Sequence, residues 1–209
     1  MKTKCFCMGI CATNCYVVSD DFGKCVVIDP CDLGDKIYSY IKSVGAELCA
    51  VLLTHAHYDH IFGLDDLLES ARRDGKENIG VYIHEDDRAA MKDPDANVSG
   101  SLFGRPYMFS GETTAVGNGD RLVFGKLAFS VLHTPGHTKG SACYICENIV
   151  FSGDTMFCSS CGRTDLPGGS YEDMKSSLEK LYNLPETYSV YPGHGEMTAI
   201  GDEKAVKLY

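Results

Sequence analysis

The sequence predicts a mixed α/β fold, and three observations carry that prediction. Its 209 residues are the length of one domain, with enough chain to bury a real core. Short apolar runs of strand type alternate with segments of helical period. No internal linker, low-complexity tract or fixed-period repeat interrupts it, so residues 1–209 are expected to form one domain.

Taken in order, strands are expected over 4–10, 14–19 and 24–28, with a hairpin connection at 20–23. Leu33, Ile37, Tyr40, Ile41 and Val44 then recur at helical spacing, with Asp32 as the expected cap and Gly45 as the end. Residues 49–53 form an unbroken apolar run, the pattern of a buried strand. Leu64, Leu67, Leu68 and Ala71 make one apolar helical face that closes near Gly75, and a strand follows over 80–83. From 92 to 116 the periodicity fades. Pro94, Gly100, Gly104, Pro106 and Gly111 break the chain there, with Phe103, Tyr107 and Phe109 between them. Such a stretch is either a loop covering a site or a surface excursion whose aromatics pack down.

Order returns with strand pairs over 121–124 with 126–132, and 141–146 with 149–151. Ser170 to Asp173 reads as a capping box, followed by the helix face of Tyr171, Met174, Leu178 and Leu181. A last strand is expected over 188–191, and the tail from Ala199 is compatible with a helix.

Composition narrows the function. Twenty-nine acidic residues against 19 Lys plus Arg give a formal charge of −10, which disfavours a nucleic-acid surface. No apolar run reaches the roughly 18 residues a membrane span requires, and the first residues do not read as a signal peptide, so no membrane association and a cytoplasmic location are expected. Eleven cysteines, an odd and scattered set, read as thiols, metal ligands or small core residues rather than a disulfide framework. Cys143-x-x-Cys146 and Cys158-x-x-Cys161 would suggest a zinc ribbon in isolation. The first pair falls inside an expected strand, however, and the gap holds the turn of Asp154, so a ribbon is rejected. Cys158 and Cys161 are the thiols expected to be oxidisable.

The chemistry concentrates at 54–63. His55, His57, Asp59 and His60 put three of the chain's seven histidines and a carboxylate within six positions. Four crowded titratable groups repel one another unless something binds them, and imidazole with carboxylate suits zinc, iron or manganese. In an extended chain, residues two apart project to the same side. His55 and His57 can thus share one ion, while Asp59 and His60 point elsewhere, towards a second. The same layout recurs: an apolar strand ends in a turn with a metal-capable side chain at Asp29, His137, Asp154 and His194.

His-x-His-x-Asp-His at 55–60, Thr-Pro-Gly-His ending at 137, Gly-Asp at 153–154 and Pro-Gly-His ending at 194, in that order, resemble the metallo-β-lactamase superfamily over about residues 4–196. The resemblance implies the metallo-β-lactamase fold, an αββα sandwich of two sheets back to back with helices outside. It implies two divalent ions, zinc first with iron or manganese as alternatives. His55, His57 and His137 would hold one ion, Asp59, His60 and His194 the other, and Asp154 would bridge them. Asp59 and Asp154 are accordingly the candidate catalytic carboxylates, and Asp29 would brace the metal loop from behind. His84 and His133 fall outside this ligand set.

The segment 161–170, Cys-Gly-Arg-Thr-Asp-Leu-Pro-Gly-Gly-Ser, is most similar to small glyoxalase II-type proteins, the hydroxyacylglutathione hydrolase-like members. The full enzyme carries an added helical domain that holds glutathione, and no such C-terminal domain is expected here, where the chain ends fifteen residues after His194. Lys139 and Arg163 are candidate contacts for an acidic substrate. The implied activity is that of a thioesterase acting on a small acyl thioester. A metal-bridging hydroxide, with the pKa of water lowered from 15.7 towards about 7, would attack the thioester carbonyl, and the thiol would leave without a dedicated general acid. The alternatives are an iron-dependent persulfide dioxygenase of the same fold and a thiol-rich metal or redox sensor without turnover.

Overall fold

The computed structural model describes residues 1–207. Its first sheet begins as an antiparallel meander of β1 (Lys2–Met8), β2 (Thr13–Ser19) and β3 (Lys24–Ile28). Helix α1 (Gly34–Ser43) then crosses to β4 (Glu47–Leu52), which lies parallel to β3. A single helical turn, α2 (Tyr58–Ile61), and α3 (Leu64–Arg73) lead to β5 (Gly80–His84) and, after a long excursion, to β6 (Thr114–Val116), both parallel additions.

The second sheet is built from β7 (Arg121–Phe124), β8 (Leu127–His133), β9 (Ala142–Cys146) and β10 (Ile149–Gly153), all antiparallel neighbours. A small ribbon of β11 (Met156–Phe157) and β12 (Ser160–Cys161) follows, then α4 (Tyr171–Tyr182). Strand β13 (Ser189–Pro192) joins parallel to β10, β14 (Thr198–Ala199) adds an edge, and α5 (Ile200–Val206) ends the described chain.

Strand alternation explains why the layers stack. Cys15, Val17, Cys25, Val27 and Val51 face outward onto Ile37, Ile41, Leu64 and Leu67 of α1 and α3. Their neighbours Tyr16, Val18, Val26, Ile28, Ala50 and Leu52 face inward against Phe129, Val131, Tyr144 and Phe151 of the second sheet. Both faces of these strands are covered, and hence their sequences are continuous apolar runs. On the far side Cys143, Val150 and Val190 pack on Met174, Leu178 and Leu181 of α4. The arrangement is the αββα sandwich.

Several local expectations change. Residues 9 and 10 leave the first strand for a turn, and Asp32 does not cap α1: Leu33 holds the N-cap position in a left-handed conformation, φ 46°, while the Asp32 carboxylate accepts from the Leu33 N–H. Half of the capping box at 170 forms: Ser170 Oγ accepts from Asp173 N–H at 3.3 Å, while the Ser170 N–H donates to the Gly136 carbonyl at 2.9 Å rather than to Asp173. The 92–116 stretch does both things expected of it. Phe109 is buried in the outer core and the Tyr107 hydroxyl donates to Asp65, while Val98, Leu102 and Phe103 line a cavity. Its last three residues pair with β5, a strand too short to show a period in sequence. The eleven cysteines form no disulfide among the described residues. Cys143 and Cys146 lie on opposite faces of β9, as odd spacing in a strand requires, and cannot share an ion.

Candidate metal centre

The site gathers where the two sheets end together. After β4 the chain remains extended through His57, φ −64° and ψ 144°, and then coils into α2. The extended part projects His55 and His57 to one side, and the helical turn rotates Asp59 and His60 towards another. Gly136, Gly153 and Gly193 bring the turns of His137, Asp154 and His194 onto the same spot; at Gly193 a Cβ would collide with Asp154 Oδ1 and His60.

His55, His57 and His137 are mutually within reach of one ion, as are Asp59, His60 and His194. In the first group His57 Nδ1 and His137 Nε2 approach to 2.8 Å. In the second, His194 Nε2 is 3.3 Å from Asp59 Oδ2, and His60 Nε2 is 3.7 Å from it. Asp154 lies between the groups: Oδ1 is 3.3 Å from His60, and Oδ2 is 3.5 Å from His137 and 3.4 Å from His194.

Buried atoms without hydrogen-bond partners test whether metal fits here. His55 Nε2, His60 Nε2 and Asp154 Oδ1 are all buried with no such partner. Orphaned polar atoms are costly in a folded interior, and several together mark a place where an ion belongs. The imidazole and carboxylate donor set fits divalent zinc, iron or manganese.

The electrostatics agree. Burial drives the ring pKa values of His55 and His57 down, that of His57 to about 3, leaving neutral rings with free lone pairs. Burial also opposes charge on His60, but Asp154, Asp59 and Asp29 outweigh it and raise the ring. His194 rises to about 9, since hydrogen bonds to Asp154 and Asp59 override its burial. Burial acts upward on Asp59 and Asp154, yet His60 and His194 hold both below the usual carboxylate range, Asp59 at about 2.

A second set of groups orients these rings. Asp29 Oδ2 accepts from His60 Nδ1 at 2.9 Å and from Thr54 Oγ1 at 2.7 Å, and Oδ1 accepts from Thr54 N–H at 2.8 Å. The His137 Nδ1 position faces the Arg163 carbonyl at 2.7 Å, and His194 Nδ1 faces that of Cys11 at 3.1 Å. The Thr13 hydroxyl donates to Asp59. Asp87 ties the two halves of the first ligand group together, accepting from Ala56 N–H, Thr138 Oγ1 and Gly140 N–H.

Neither Asp87 nor Thr13 stood out in the sequence. Asp87 sits in an acidic run with no motif around it, and the carbonyl partners leave no trace in residue identity. His84 and His133 stack on each other at 3.8 Å, outside both ligand groups; His133 Nε2 is 2.8 Å from the Lys139 carbonyl. Arg163 lines the cavity above the ligands, with its guanidinium donating to both oxygens of Asp165. Lys139 lines a neighbouring cavity beside Asp86 and Asp87.

Residues 8–194 match the family model of the metallo-beta-lactamase superfamily. The chain is 38% identical over 192 residues to a probable metallo-hydrolase, YqgX of Bacillus subtilis, covering 90% of this chain and 87% of the relative. It is 32% identical over 199 residues to hydroxyacylglutathione hydrolase GloC of Haemophilus influenzae, covering 91% and 89%. Among solved structures, the BLEG-1 B3 metallo-beta-lactamase superposes with a TM-score of 0.90 at 38% identity, covering 98% of this chain and 97% of that one.

Proposed function

The chain belongs to the metallo-β-lactamase superfamily and is a metallo-hydrolase of it, and we propose that it is a dinuclear thioesterase that hydrolyses a small acyl thioester. The observation that carries the two-ion reading is Asp154, whose carboxylate lies within 3.3–3.5 Å of nitrogens from both ligand groups. The thioester reading draws support from the likeness to GloC.

His55, His57 and His137 would hold one ion, Asp59, His60 and His194 the second, and Asp154 both, with zinc the first expectation and iron or manganese the alternatives. Bound there, two divalent ions supply Lewis acidity and water of lowered pKa. The rest falls to the chain. Asp29, Thr13 and the two carbonyls hold the ligands in one orientation, which leaves little to reorganise when charge develops on a substrate carbonyl. Val98, Phe103, Phe157 and Leu166 wall the cavity above the ligands. In the overall reaction the oxygen of water becomes bonded to the acyl carbon, the carbon–sulfur bond breaks, and the thiol departs with a proton. A thiol of pKa about 8.5 leaves without a dedicated acid.

A panel of thioesters tests the reading, with wild type and Asp154→Ala each loaded with zinc, iron or manganese. We expect wild-type turnover, two ions per chain, and a loss of roughly 100-fold or more in the variant. Activity indifferent to the substitution would overturn the site. One iron per chain with oxygen uptake on a persulfide would replace the hydrolase by a dioxygenase, and β-lactam hydrolysis outpacing every thioester would place the chain with BLEG-1 in activity.

A further inference from the structure

The cavity over the ligands encloses about 360 Å³. Its floor is His57, Asp59, His137, Asp154 and His194, and its upper wall is Val98, Leu102, Phe103, Phe157 and Leu166. A polar floor with an apolar wall suits a substrate with one reacting polar group and a hydrocarbon portion. The cationic groups an acidic substrate would need are engaged or elsewhere. Among the described residues, Arg163 is the one Lys or Arg lining the cavity, and both oxygens of Asp165 accept from its guanidinium, at 2.7 and 2.8 Å. Lys139 lies in the neighbouring cavity.

Val98 makes the wall more than a chance surface. It is 2% exposed and sits at φ 59°, a left-handed conformation that a β-branched residue adopts only when its surroundings impose it. The imposition comes from Asn97. Its side-chain amide donates to the Tyr107 carbonyl at 2.9 Å, its side-chain oxygen accepts from Ser99 N–H at 3.0 Å, and its backbone carbonyl accepts from Tyr58 N–H at 2.9 Å. Strain of this kind concentrates where a site needs a side chain in one place. Here it holds Val98 in the cavity wall and fastens the loop to the first residue of α2, next to Asp59.

We propose that this wall is an acyl-binding surface, so that the substrate carries an uncharged hydrocarbon acyl chain rather than one ending in a carboxylate. The proposal rests on the thioesterase reading, whose failure the following test separates from its own. N-Acetylcysteamine thioesters of acetate, butyrate, hexanoate and succinate are assayed with the metal-loaded protein. In parallel, calorimetry measures binding of the matching analogues in which a methylene separates sulfur from the carbonyl and blocks hydrolysis.

Both kcat/KM and affinity are expected to rise about fourfold per methylene from acetyl to hexanoyl, with succinyl at least roughly tenfold below butyryl. The double variant Phe103→Ser with Leu166→Ser should flatten the series; if it fails to fold, the wild-type series alone decides. Turnover that is flat or falls with chain length, or that favours succinyl, overturns the acyl wall. Graded binding with no turnover of any thioester removes the thioesterase reading and leaves the acyl wall standing.

Discussion

The Asp29 carboxylate and the His60 ring, 31 residues apart in the chain, meet at 2.9 Å with both side chains buried. The contact places the Nδ1 proton on the carboxylate side and turns Nε2 towards Asp59 and Asp154. Asp29→Ala should therefore weaken loading of the second ion by about 10–100-fold. Asp29→Asn, which keeps an acceptor for Thr54, should cost less. Competition with a chelating dye measures both, and unchanged affinity in a folded Asp29→Ala protein would contradict the assignment.

Asp87 joins the loop of His55 and His57 to the turn after His137. Burial raises its pKa despite three donors, so the carboxylate is held where charge is disfavoured. Removing it orphans the N–H groups of Ala56 and Gly140 inside the protein. Asp87→Ala is expected to lower stability by about 2–4 kcal/mol in urea unfolding of the metal-free protein. A loss under about 1 kcal/mol would show the bracing to be dispensable.

Gly193→Ala tests the closeness of the last turn. The added methyl has no room against Asp154 and His60, so one of them must move. Loading should fall from two ions per chain to one or none by elemental analysis, while circular dichroism stays that of the wild type. Two tightly held ions in the variant would refute the packing argument.

Metal uptake should also release protons. His194, raised to about 9, is a cation at pH 7.5 in the metal-free protein, and a ligand must be neutral. Its folded-state pKa lies above the usual 6.5, so its stabilising contacts with Asp59 and Asp154 are fully present below about 6.5 and lost as pH rises through about 9. An ion then takes the place of the proton. Apparent affinity should fall steadily as pH drops from 9. Calorimetry at pH 7.5 in two buffers of different ionisation enthalpy should give at least one proton released per chain; a buffer-independent heat would exclude this.

Much of the fold and the candidate ligand set was legible in the chain. Short apolar runs identified β2, β3, β4, β8, β9 and β13, and those of β2, β3, β4 and β9 are nearly continuous because both of their faces are covered. Five turns with metal-capable side chains were visible because donor chemistry is carried by residue identity. The fading of period over 92–116 hid two unlike things, a three-residue strand and a wall of the cavity. Neither is long or regular enough to imprint a pattern.

Residue identities by themselves determined which groups have the chemistry to bind metal and which faces must be buried. The tertiary structure alone decided that Asp87 joins two turns, that carbonyls of Cys11 and Arg163 orient histidines, and that Val98 is held in a left-handed conformation against the cavity. The physical reason is that hydrogen-bond direction, close approach and strain depend on where distant backbone segments meet, and a backbone carbonyl or N–H is chemically the same at every position in the sequence.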